Sequence, residues 1–499
     1  MNQVATLLSP SKFRKLEPVI RRLLILAILF GQIAYHFSWT NVQLDPDIWW
    51  HLSTGRWIAQ HGTVPSTDPF SEYGQSRPWV AYTWLFDLVV FEAHRLQGAI
   101  GIEYVKAALG MIFALALYFL CQRLAGSFGL GVILTILALV STLPLATPRP
   151  WLFTMVFFGL ALLLLTRLRN DGRKAAIWAL PLLFALWANL HVQFIYGLIL
   201  VGLFLMEAIQ NRFMRSAERF TGNWRDAKLY AGILAACAAA ACLNPYGARL
   251  YSTVWDYAHQ ADIYLLIQEL SPPNFRSPTH WLFMGLTLGG FLVLGRRKAT
   301  SALPYLLLVF GLCSALRMQR DAWLAAIAGA AVLAGWPSGR QNDGGEPDPE
   351  WTPRFPVVLA VAVAGLIVIL GLARTSGADL EREIPQHFPA GAVRHISSRG
   401  LPGPLYNDFG WGGYLTWALP NLPVSMDGRT NVHRPERILR SYLTWGGQRI
   451  WAEDPDLQKA RLVLAPRNQA LTTILRQDDR FHLDYEDDLA VVLVRKPNR

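Results

Sequence analysis

Residues 79–96 read Trp79-Val80-Ala81-Tyr82-Thr83-Trp84-Leu85-Phe86-Asp87-Leu88-Val89-Val90-Phe91-Glu92-Ala93-His94-Arg95-Leu96, and whether they cross a bilayer fixes the topology of all that follows. The run has the length of a span, but Asp87, Glu92 and His94 are costly at membrane depth. The positive-inside rule separates the two readings. If the run spans, the clusters Arg167, Arg169, Arg173, Lys174 and Arg296, Arg297, Lys298 fall outside. If it lies on the membrane surface, both clusters fall inside, joined by Arg212, Arg215, Arg219, Arg225 and Lys228. The second parity is much the better. It predicts an inner N-terminus, an outer C-terminus, and a first external loop over residues 40–99 that carries one or two surface helices.

A membrane class follows from composition: 53% of residues are hydrophobic and only 16% charged, too few for a soluble chain of 499 residues. Apolar runs of spanning or near-spanning length lie at about 21–39, 101–122, 128–146, 150–167, 174–190, 193–210, 229–243, 280–295, 302–316, 322–336 and 355–373. The first continues without a small-residue cleavage site, so it reads as an uncleaved span. The net charge of +11 sits in short clusters between these runs, which marks topology and membrane lipids rather than nucleic acid. Nineteen Trp residues suit the membrane–water boundary. Cys121, Cys237, Cys242 and Cys313 lie in or beside apolar runs, so neither a disulfide framework nor a Cys-based zinc site is expected.

After about residue 373 the composition becomes that of a soluble domain, with strand-like runs at 404–406, 423–426, 461–465 and 489–494 and helical patterns between the first three. Residues 336–353, rich in Gly, Pro and Asp, read as a flexible inner loop. The expected fold class is an α-helical polytopic membrane protein of about 11 to 12 transmembrane helices with a small C-terminal α/β extracytoplasmic domain. Its expected divisions are a cytoplasmic N-terminus (1–20), a transmembrane domain (21–373) and the outer domain (374–499).

This topology was built from charge clusters alone, yet it gathers the polar motifs on one side. Asp45-Pro46-Asp47-Ile48-Trp49-Trp50-His51, Thr147-Pro148-Arg149-Pro150, Asn189-Leu190-His191, Asn244-Pro245-Tyr246-Gly247, Gln268-Glu269 and Arg317-Met318-Gln319-Arg320-Asp321 all fall outside. Pro46 fits the first turn of a helix capped by Asp45, which would set Asp47 and His51 four residues apart on one face. The plainer alternative is that these acids only cap and charge a helix end. Asn189 and His191 cannot share a helical face unless the helix stops there, and they read either as cavity lining or as interhelical hydrogen bonds. Tyr406-Asn407-Asp408-Phe409-Gly410-Trp411-Gly412-Gly413-Tyr414 and Asp427-Gly428-Arg429 suit tight turns as well as ligand loops at strand ends.

The acid just after the first span, the long first external loop and the external C-terminal domain resemble the GT-C glycosyltransferases. That group includes the catalytic subunit of oligosaccharyltransferase, protein O-mannosyltransferases and the aminoarabinose transferase of lipid A. Residues 45–71, 187–197 and 406–429 are similar to a group of bacterial polytopic membrane proteins of that type. The Asp-Glu pair of several members is replaced here by Asp45-Pro46-Asp47. The resemblance implies transfer of a sugar from a polyprenyl-phosphate carrier to a lipid, glycan or protein acceptor at the outer face of a bacterial inner membrane, with Asp45 or Asp47 as base. It gives Arg149, Arg317 and Arg320 to the carrier phosphate, guanidinium forks being suited to its oxygens, or else to lipid headgroups. His51, Asn189, His191 and Glu269 are the other candidate substrate-binding residues. A divalent cation held by Asp47 and Glu269, with His51 as a further ligand, is a chemically reasonable cofactor that no spacing demands. Two other classes stay open: a transporter or flippase of lipid-linked glycans, and a non-catalytic assembly factor of an envelope-polysaccharide system.

Overall fold

The computed structural model describes residues 10–39, 45–75, 77–213, 224–259, 267–297, 301–335, 353–372, 377–448 and 451–497. Residues 40–44 of the first loop, Arg215, Arg219, Lys298 and nearly all of the expected inner loop (336–352) lie outside them.

Helix α1 (Pro10–Trp39) leads into the first loop, which holds α2 (Ile48–His61) and α3 (Trp84–Gln97). Then come α4 (Ala99–Ala125), α5 (Phe128–Thr142), α6 (Trp151–Asp171), α7 (Ala175–Leu190), α8 (Phe194–Phe213), α9 (Trp224–Ala240), the short α10 (Arg249–Ala258), α11 (Pro278–Arg296), α12 (Leu303–Arg317), α13 (Ala322–Leu333) and α14 (Phe355–Leu372). Each of the eleven apolar runs thus forms a helix, and among the described residues seven helices are long and apolar enough to cross a membrane. Within residues 79–96 the helix α3 has 14 residues and extends about 21 Å, less than a hydrocarbon core of about 30 Å.

Burial follows from sequence. Helix α13 is apolar all round, and its residues from Ala322 to Val332 are all buried. Gly311 on α12 and Gly329 on α13 admit that packing, because a Cβ at Gly311 would press on the α13 backbone and one at Gly329 on Leu286 of α11. Helix α14 is the opposite case: only Val358 and Ala362 are buried, and Val363, Ile367 and Leu372 face outward, as a lipid-contacting helix requires.

The C-terminal region adds α15 (Gly377–His387), α16 (Ala390–Arg399), α17 (Gly412–Ala418), α18 (Pro435–Trp445), α19 (Pro455–Lys459) and α20 (Ala470–Arg476) around four strands. These are β1 (Leu405–Asn407), β2 (Leu462–Pro466), β3 (Phe481–Glu486) and β4 (Ala490–Arg495), in the order β1-β2-β4-β3. β1 and β2 are parallel and the remaining pairs antiparallel. Two sequence expectations need correction. Residues 423–426 are not a strand of this sheet; Val424 crosses to the first loop, donating to Phe70 O and accepting from Glu72 N–H, each at 3.1 Å. The true fourth strand, β3, escaped because Phe481-His482-Leu483-Asp484-Tyr485-Glu486 is an edge strand with mostly wet side chains.

Candidate functional site

The site begins where the first loop enters α2. That helix is capped by Asp47, two residues later than the sequence suggested, and Asp45 Oδ1 accepts the Asp47 N–H at 3.0 Å. The Asp47 side chain makes no cap bond. It turns instead to Arg149, as does Asp45: Arg149 Nε donates to Asp45 at 2.5 Å and Nη1 donates to Asp47. Thus Arg149, expected at a carrier phosphate, is held between the two acids.

Across the cavity Glu269, in a single 3-10 turn (Gln268–Leu270), pairs with Arg320 at 3.4 Å. The turn is tied down by Gln319, whose backbone N–H donates to Ser271 O at 2.8 Å. The Trp151 ring lies between the arginines, 5.3 Å from the Arg149 Cζ and 5.9 Å from that of Arg320. Arg320 Nε is buried with no hydrogen-bond partner. These groups and His51, Tyr82, Thr83, His191 and Tyr257 line a cavity of about 180 Å³. Arg320 also lines two neighbouring cavities: one of about 130 Å³ toward Arg317, and one of about 360 Å³ toward Pro144, Leu145 and Ala322.

The C-terminal region supplies the remaining wall through Phe409, Gly428, Arg429, Thr430 and Asn431. Gly428 is required by contact, since a Cβ there would fall on Asp47 Oδ1. Gly413 meets Pro46 O in the same way. The glycine-rich motifs therefore serve close approach to the first loop. Behind this wall Arg429 is fully buried between Asp68 of the first loop and Asp427, at 2.6 Å from each.

Burial pushes the Asp47 carboxyl up to about 7; Arg149 opposes that, and the negative charges of Asp45 and Glu269 add to it. A carboxylate poised there is an efficient proton acceptor near neutral pH. His191 is driven well below the imidazole range by burial and by the positive charge of Arg320, so it lines the wall as a neutral ring.

The remaining candidates are placed differently. Helix α7 stops at Leu190, so Asn189 and His191 diverge. His191 lines the cavity, bonded to Thr154 at 2.8 Å. Asn189 makes interhelical hydrogen bonds instead, accepting from Trp84 Nε1 at 2.9 Å and donating to Leu243 O at 2.8 Å. Arg317 is exposed, donates to Ala258 O at 2.9 Å, and lines only the smaller neighbouring cavity. The residues considered for a divalent cation lie as follows in the structure. Asp47 and Glu269 each face an arginine, and among the described residues no group of three or more His, Cys, Asp and Glu assembles as metal ligands. Sequence reasoning missed Asp87, which it used only as an argument against a span; it is the partner of His51.

The chain is similar in structure to the Archaeoglobus fulgidus oligosaccharyltransferase in its apo form, with a TM-score of 0.50 and 10% identity over 89% of this chain and 69% of that one. The fold is of the GT-C type. A second GT-C structure, ArnT from Cupriavidus metallidurans bound to undecaprenyl phosphate, aligns with a TM-score of 0.47 and 14% identity over 94% of this chain and 99% of that one. No protein-family model and no curated protein sequence matches the chain. In this GT-C fold Asp47 of the first loop, the arginines that precede α6 and α13, and residues of the C-terminal region line one cavity.

Proposed function

We propose that the protein moves a sugar from a polyprenyl-phosphate-linked donor to a lipid, glycan or protein acceptor at the outer face of a bacterial inner membrane. In this reading the N-terminus is cytoplasmic and the C-terminal domain lies outside. The observation that carries the proposal is Asp47: a carboxylate held near neutral titration, lining a cavity with an arginine on either side. Asp47 takes the acceptor hydroxyl proton while that oxygen attacks the anomeric carbon, and a single displacement inverts the centre. Asp45 and Arg149 orient Asp47. Arg320, whose Nε has no partner, takes the carrier phosphate, and the cavity toward Pro144, Leu145 and Ala322 receives the first part of the lipid chain.

The test is sugar transfer at the outer face in a deletion strain carrying wild-type protein, Asp45→Asn or Asp47→Asn. The expected result is loss of transfer in Asp47→Asn, by roughly 10²- to 10⁴-fold, with the protein still folded in the membrane. Full transfer by both variants removes the base from the mechanism.

A further inference from the structure

His51 was grouped with the two acids by its spacing, but its ring nitrogen goes elsewhere. His51 Nδ1 lies 2.5 Å from Asp87 Oδ1, and Thr83 Oγ1 donates to Asp87 Oδ2 at 3.2 Å. Gly55, one turn after His51, permits the pairing, since a Cβ there would strike the Asp87 carbonyl and bar α3 from α2. The Trp50 ring lies against the imidazole at a 31° tilt with centroids 3.5 Å apart, and Phe86 meets it edge-on at 4.8 Å. The ring is thus fixed in plane and rotation. Its second nitrogen, Nε2, has no hydrogen-bond partner among the described residues, and His51 lines the same cavity as Asp47.

A satisfied structural histidine needs no such arrangement. An imidazole oriented by a buried carboxylate, with its far nitrogen open at a cavity, is the arrangement that moves protons in hydrolases of unrelated fold.

We infer that His51, positioned by Asp87, is the acid partner of Asp47: it delivers its Nε2 proton to the departing phosphate oxygen of the donor. The inference rests on the transfer reading given above. The acceptor O–H bond breaks and its proton passes to Asp47, while the acceptor oxygen bonds the anomeric carbon. The bond from that carbon to the phosphate oxygen breaks, its electron pair stays on that oxygen, and the oxygen takes the Nε2 proton. One proton then returns from Asp47 to His51, four residues along the same helix, and both groups are reset. The charged and titratable groups around His51 are Asp47 on its own helix, Asp87 on α3, Arg149 before α6, His191 after α7 and Arg429 from the C-terminal wall.

The charge state agrees with an acid role. Burial holds the His51 imidazolium well below its ordinary range and the Asp87 carboxyl well above its own. Burial thus disfavours a net charge on the pair and favours the neutral form, in which one proton is shared between Oδ1 and Nδ1. Whichever of the two atoms holds it, Nε2 carries an N–H.

The test uses the full chain in lipid nanodiscs with undecaprenyl phosphate as probe, measuring affinity as a function of pH. Wild type should bind with uptake of a proton, because a phosphate dianion beside His51 favours the protonated pair. His51→Gln and Asp87→Asn should each bind roughly 10-fold more weakly or worse, with the proton uptake gone. His61→Gln, an exposed histidine at the far end of α2, should match wild type. If wild type binds but both variants keep its affinity and pH slope, the acid role is overturned and the transfer reading stands. If wild type fails to bind, the transfer reading falls and takes this inference with it. Should His51→Gln not fold, nitrogen-15 histidine spectra of wild type decide. A protonated Nε2 that shifts on adding the lipid phosphate supports the role; no shift at any histidine overturns it.

Discussion

Two arginines in this molecule each stand between two aspartates, and their surroundings differ. Arg429 bonds both oxygens of Asp427 and one of Asp68, lies against the rings of Phe70 and Trp79, and is 0% exposed. Asp68 is satisfied further by the N–H groups of Phe70 and Ser71 and by the Ser71 hydroxyl. Every oxygen of that cluster is occupied and dry. Arg149, by contrast, gives one bond to each acid, and Asp47 is 20% exposed on a cavity that Glu269 and Arg320 also line. The saturated cluster joins the first loop to the C-terminal domain. The unsaturated one has the spare valence that chemistry needs.

The comparison is broken most sharply by removing one charge from each cluster. Asp47→Asn should abolish transfer with little change in melting temperature, because Asp45 still pairs Arg149. Arg429→Ala takes the guanidinium counter-charge from two buried carboxylates, which should cost about 3–5 kcal/mol and appear as a large fall in the melting temperature of the detergent-solubilised protein. Equal destabilisation by the two variants would erase the distinction. Gly428→Ala tests the link between the clusters, since its Cβ would displace the Asp47 carboxylate. Transfer should fall on the order of 10²-fold, measured as kcat/KM, with stability nearly unchanged.

The clusters should also separate by pH. Asp47 must be ionised to act as base, so transfer should be lost as pH falls through about 7. Burial pushes the Asp427 carboxyl up, but the Arg429 guanidinium and His433, by charge and hydrogen bonds together, outweigh it and hold Asp427 below the usual carboxylate range. Its stabilising contribution is present above the unfolded value near 4 and disappears only as pH falls through the lower native value. Melting curves and rates across pH 3–9 should therefore break at different places. The smallest effect expected is that of Asn189→Ala, which unties Trp84 and Leu243 outside the cavity: about 1 kcal/mol of stability per hydrogen bond, with transfer retained.

The two clusters also differ in how far the sequence discloses them. Spans were legible because run length is a local property, as is the Lys/Arg clustering from which a surface position is expected for residues 79–96. The first-loop acids stood out by their neighbours, Trp49, Trp50 and His51. Nothing local joins Asp68 to Arg429, which are 361 residues apart, or Arg149 to Asp47, 102 apart. Asp68 lies just before Pro69-Phe70-Ser71 and Arg429 in an Asp-Gly-Arg turn, each plausible alone, and only the fold pairs them. The same limit explains residues 423–426: extended propensity is local, but the partner, here Phe70 rather than the sheet, is not.

The most direct test of the account is a cryo-electron microscopy map of the full chain in lipid with undecaprenyl phosphate. The phosphate is expected within hydrogen-bond reach of Arg320, with Asp47 facing it across the cavity and the prenyl chain running past Leu145. Phosphate density at the opposite membrane face, beside the Arg169–Glu207 pair, would contradict it.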